Sequence, residues 1–97
     1  MHESRMYHRA SKANMLCQEI KDENKKRKVF NISAGGMLIE RLDDDNFNVG
    51  ETTAFKIIFD DNITLEVEGN IVREQERSLA IRFPNISKEL SKQLKKI

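Results

Sequence analysis

Arg5 and Arg9, four residues apart, and the run Asn31-Ile32-Ser33-Ala34-Gly35-Gly36 are the parts of this chain whose residue types and spacing suit a chemical task. The task is recognition rather than bond-making. A guanidinium is a planar fork that grips a phosphate through two charge-assisted hydrogen bonds and also fits the O6/N7 edge of guanine. The Asn31 amide carries donors and an acceptor and can read a base edge. Ser33 adds a short hydroxyl, and Gly35 and Gly36 leave no Cβ between backbone and ligand. Taken singly, each motif is a common surface pattern. Arg-x-x-x-Arg recurs at Arg73 and Arg77. Asn, Ser and Gly gather in turns for local hydrogen-bonding and dihedral reasons.

Other chemistries find less support. Asp43-Asp44-Asp45 and Asp60-Asp61 fall in turn signals, without histidine or glutamate at ligand spacing, and read as solvated turns. No P-loop, nucleophile elbow or zinc spacing is present, so neither an enzyme nor a metal or cofactor is expected. Cys17 is the single cysteine, which rules out an internal disulfide, and it reads as a small buried hydrophobe. No apolar run approaches the roughly 20 residues of a membrane span. The opening Met-His-Glu-Ser-Arg lacks the apolar stretch of a signal peptide, so a cytoplasmic protein is expected.

The formal net charge is +1 but it is unevenly spread. Residues 1–28 carry eight Lys or Arg against four Asp or Glu; residues 29–97 carry nine against twelve. The basic excess lies where it would attract an anion. A small-barrel nucleic-acid binder would instead show a basic face interleaved with aromatics. Here five Phe and one Tyr sit mostly at core-like positions, which disfavours that class.

The elements that must position these residues are short. Residues 1–12 read as a polar, flexible arm carrying Arg5 and Arg9, with Tyr7 and His8 between them, and residues 13–97 as one domain. Strand-like runs cover 13–20, 27–32, 37–42, 53–59, 63–73 and 78–83. In the second, Phe30 and Ile32 are expected on one face and Val29 on the other. Paired glycines give residues 33–36 a turn with positive φ. Gly69 interrupts its strand as a bulge or barrel bend. Ser87 is a helix N-cap candidate, and Leu90, Leu94 and Ile97 line one face of a short terminal helix. The fold class is mostly β: a six- or seven-stranded antiparallel barrel, closed because closure leaves no open edge, with a C-terminal helix.

In combination and order, the two motifs resemble the PilZ domain, the bacterial receptor for cyclic di-GMP. Ser-Ala-Gly-Gly-Met-Leu-Ile is similar to the family's run of small residues leading into an apolar strand. Glu68-Gly69-Asn70-Ile71-Val72-Arg73 is similar to its penultimate strand, Leu79-Ala80-Ile81-Arg82-Phe83 to its closing strand, and Ile86-Ser87 to Leu94 to its helix. The resemblance runs from about Arg5 to the end. Ser4 stands where family members often carry an arginine, and Ala80 where they often carry glycine.

The resemblance implies a cyclic di-GMP site on the outer barrel surface, built from Arg5, Arg9, Asn31, Ser33, Gly35 and Gly36. It implies signalling by an arm that docks over the nucleotide and changes the surface shown to a downstream protein. An adaptor acting through protein contacts without nucleotide is the alternative. Whether the chain is monomeric or dimeric stays open at this point, as do the pathway and the partner.

Overall fold

The computed structural model describes residues 15–60, 63–85 and 87–95. Six strands form a closed antiparallel barrel: β1 (Leu16–Glu19), β2 (Arg27–Ser33), β3 (Gly36–Glu40), β4 (Thr52–Asp60), β5 (Ile63–Glu74) and β6 (Ser78–Arg82). Around the barrel the order is β1-β2-β3-β6-β5-β4. Closure falls to the four-residue β1, which pairs with β2 on one side and β4 on the other. The six-strand form of the expected barrel is therefore the one adopted, and among the described residues each strand has a neighbour on both sides.

Alternation supplies the core. Phe55 and Ile57 of β4, Val67 and Ile71 of β5, and Leu79 and Ile81 of β6 point inward and are buried with Cys17, Val29, Ile32, Met37 and Ile39. Removing this apolar surface from water is the main driving force for closure. Helix α1 (Lys88–Lys95) adds Leu90 and Leu94 to the same cluster. Ser87 caps it as expected: its Oγ accepts the Leu90 backbone N–H at 3.1 Å. Ile97 lies outside the described residues.

Three expectations need correction. In β2, Val29 and Ile32 are buried whereas Phe30 is 40% exposed. A register shift against β3 inserts one residue between Val29 and Asn31. A bulge breaks the two-residue period, so Phe30 and Ile32 do not share a face.

In β5, the strand runs through Gly69 without interruption, and the bulge comes at Val72, between Ile71 and Arg73. Gly69 answers a packing need. A Cβ there would lie 2.5 Å from Ile81 Cγ2 and 3.0 Å from the Phe55 ring.

The Ser33–Gly36 turn does not rely on positive φ. Among the described residues only Gly50, at 96°, adopts it.

Candidate functional site

Asn31 and Ser33 sit at the end of β2, and strand geometry decides where they face. Asn31 pairs with Leu38 while its neighbours Val29 and Ile32 pair with the buried Ile39 and Met37. Paired residues of adjacent strands share a face. Asn31 and Ser33 therefore project from the outer surface of the barrel, two residues apart. Without the bulge at Phe30, the inward phase set by Arg27 and Val29 would carry Asn31 into the core.

The turn that follows is held by its own groups. The Gly35 N–H donates to Ser33 Oγ at 3.3 Å, and the Gly35 carbonyl accepts the Phe83 N–H at 2.9 Å. The two glycines have different duties. Around Gly35 nothing lies within 4 Å of a built Cβ, so that position opens to solvent. At Gly36 a Cβ would stand 2.4 Å from the Ile81 carbonyl oxygen. Gly36 thus lets β3 approach β6, a structural reason for glycine that holds with or without a ligand.

Arg5 and Arg9 lie outside the described residues, as do Tyr7 and His8. The point from which they depart is defined. The Met15 carbonyl accepts the Val29 N–H at 3.0 Å. Because β1 runs antiparallel to β2, the start of β1 lies toward the end of β2 that carries Asn31 and Ser33. Six Cα-to-Cα steps lead from Arg9 to Met15, which limits extended chain to a reach of about 20 Å.

An open cleft of about 450 Å³ lies beside this surface, lined by Lys28, Phe30, Glu40, Arg41, Asp43, Glu76 and Arg77. None of Asn31, Ser33, Gly35 or Gly36 lines it. Its charges balance, and Arg41 is already engaged by Glu74, Nε to Oε2 at 2.7 Å.

One constellation escaped the sequence reading. Asp45, read as part of a solvated turn, is buried, and its carboxylate receives both terminal nitrogens of the buried Arg27. The Leu42 N–H also donates to it at 2.6 Å. The Phe47 ring lies 5.2 Å from the Arg27 guanidinium carbon, a cation–π distance. Burial alone would raise the Asp45 carboxyl; the hydrogen bonds from Arg27 and Leu42, with the Arg27 and Lys25 charges, outweigh it and hold the group below its ordinary range. The pair fastens the loop after β3 to the start of β2, the strand that presents Asn31. Asp45 stands in a run of three aspartates, and no pattern in the chain distinguished it from Asp43 or Asp44.

The model of the PilZ domain family matches residues 3–97, nearly the whole chain and both motifs. The chain belongs to the PilZ family. No curated protein matches it. Among solved structures, the PilZ domain of Escherichia coli YcgR with c-di-GMP is similar in fold: TM-score 0.72, 18% identity, covering 96% of this chain and 87% of that one. The Bacillus subtilis inhibitor of motility MotI/DgrA is similar at TM-score 0.67 and 20% identity, over 96% of this PilZ domain and 48% of that chain. An uncharacterized Legionella protein is similar at TM-score 0.66 and 15% identity, over 91% of this chain and 86% of that one. At such identities the structures bear on the fold. Among the described residues of this PilZ domain, no helix is long and apolar enough to cross a membrane.

Proposed function

We propose that this PilZ domain binds cyclic di-GMP through Arg5, Arg9, Asn31, Ser33, Gly35 and Gly36 and signals by ordering its N-terminal arm. The observation that carries the reading is the joint outward placement of Asn31 and Ser33 beside the strand end at Met15 from which the arm departs. Membership of the family and the c-di-GMP in the E. coli YcgR structure support it.

The ligand has two phosphates and two guanines, and a charge of about −2 suits arginine forks. Asn31 reads a guanine edge, Ser33 offers its hydroxyl, and the open space at Gly35 admits the ligand to the backbone. The arm is loose without nucleotide and docks when Arg5 and Arg9 engage it. Ordering costs conformational entropy, so the nucleotide must favour the docked state. The docked arm changes the surface that a downstream protein meets.

Calorimetric titration tests the reading. Saturable binding of cyclic di-GMP, abolished by Arg9→Ala and absent with GTP, is expected. Slower proteolysis at Arg5 and Arg9 under saturating nucleotide is the expected sign of the ordered arm. No binding by the intact chain would turn attention to the adaptor reading.

A further inference from the structure

The open cleft is built from three pieces of chain. Lys28 and Phe30 come from β2, Glu40 with Arg41 and Asp43 from the end of β3 and the loop after it, and Glu76 and Arg77 from the connection between β5 and β6. These pieces are fastened to one another. The Lys28 backbone N–H donates to Glu40 Oε1 at 3.1 Å. The Arg41 backbone N–H donates to the Arg77 carbonyl at 3.0 Å, and Arg41 Nη1 donates to the Glu76 carbonyl at 3.4 Å. The cleft is therefore a formed surface with a fixed set of lining groups.

Three basic and three acidic side chains line it, but they are not equally available. Arg41 Nε donates to Glu74 Oε2 at 2.7 Å, and Glu74 does not line the cleft. One of the three positive charges is thus neutralised from outside. Lys28, Asp43, Glu76 and Arg77 are exposed, and among the described residues none of them has a side-chain ion pair or hydrogen bond. Glu40 spends one carboxylate oxygen on a backbone N–H and keeps its charge. Three carboxylates accordingly stand against two uncommitted cations.

Phe30, 40% exposed, adds apolar surface to the same lining. Carboxylates beside an apolar surface suit a long basic side chain, whose methylene stem lies on the apolar part while its charged head meets the acids. A phosphate would meet a surplus of like charge. The cleft is also open, so a small ligand would stay wet on one side. A polypeptide brings its own cover and excludes that water.

We propose that Glu40, Asp43 and Glu76 form a docking site for an arginine or lysine side chain carried by a partner protein. None of the three belongs to the nucleotide motif, so the site stands independently of the cyclic di-GMP reading. It gives the chain a protein-binding surface that adjoins the motif along β2: Phe30 lines the cleft, and Asn31, the next residue, does not.

The test is a nuclear magnetic resonance titration of the isotope-labelled full chain with the peptide acetyl-Gly-Arg-Gly-Arg-Gly-amide. A second peptide carries citrulline in place of both arginines, which keeps the shape and removes the charge; a third carries glutamate there. Saturable shifts of the amides of residues 28–30, 40–43 and 76–77 are expected with the arginine peptide and with neither of the others. Glu76→Gln and Asp43→Asn are each expected to weaken binding about threefold, the scale of an exposed charge pair. Glu40→Gln is expected to do the same while keeping an oxygen for the Lys28 N–H. Arg77→Ala is expected to tighten binding, because it removes a repelling cation. Glu68→Gln, an exposed position of β5 outside the cleft, is expected to bind like the parent chain. Thermal melting checks that each variant is folded. Absence of saturable shifts at the cleft, equal binding of the citrulline peptide, or preference for the glutamate peptide overturns the proposal. An equal loss in Glu68→Gln overturns it too, because general attraction then accounts for the effect.

Discussion

Arg27 and Asp45 face each other as a fork on a fork, with Arg27 Nη2 2.6 Å from Asp45 Oδ1 and both side chains 1% exposed. They are 18 positions apart in the chain. Isolated burial of either charge would be strongly unfavourable; the pairing, the Leu42 N–H and the Phe47 ring offset that cost. Among the described residues Arg27 Nε has no hydrogen-bond partner, so the compensation they supply is incomplete.

Removing one partner should therefore hurt more than removing both. Asp45→Ala is expected to cost about 3–5 kcal/mol because it strands a buried guanidinium. The double variant Arg27→Met, Asp45→Leu is expected to recover most of that loss. Urea denaturation of the two single variants and the double variant measures the coupling. Additive losses would show that the two residues act separately.

The same pair sets an acid limit. The Asp45 carboxyl is held in the folded chain below its ordinary value of 3.8. Its contribution is fully present above the unfolded value and is lost as pH falls through the folded one. Stability should thus fall below about pH 4 more steeply in the parent chain than in Asp45→Asn, which has no carboxylate to protonate there. Urea midpoints across the acid range give the comparison; parallel curves would count against the pair as the source.

The two motif glycines should separate in their effects. Gly36→Ala forces a Cβ against the Ile81 carbonyl, a backbone atom with little freedom to yield, and is expected to cost about 1–3 kcal/mol. Gly35→Ala meets open space at a φ that is not positive and should change stability by no more than about 0.5 kcal/mol. Thermal melts of the two variants decide the point. If Gly35→Ala nevertheless weakens cyclic di-GMP binding, the effect belongs to the ligand surface and not to the fold.

Cys17 should be inert while the barrel is closed. It is fully buried, and burial pushes its thiol up to about 12, against a smaller lowering by Arg27. A thiol reagent at neutral pH is expected to react with it only as fast as the barrel opens, and at once in denaturant. Rapid labelling of the folded chain would contradict this.

The parts of this fold that depend on local rules were legible in the sequence. The strand-like runs that became β4 and β5 and the Ser87 helix cap were visible, because each reflects a neighbour a few residues away. The motif residues Asn31 and Ser33 were legible as types, and their order after an arginine pair identified the family.

Their outward placement was not legible. It depends on a bulge at Phe30 that exists only against β3, and period-two reasoning put Phe30 on the wrong face. Gly36 and Gly69 looked like turn and bend residues; only the approach of Ile81 reveals why each lacks a side chain. Asp45 was indistinguishable from two neighbouring aspartates until folding set it against Arg27. The sequence by itself determined the strands, the helix and the residue types of the candidate site. The tertiary structure decided which of those residues share a surface and which charges leave water, since both depend on strand register and burial between segments distant in the chain.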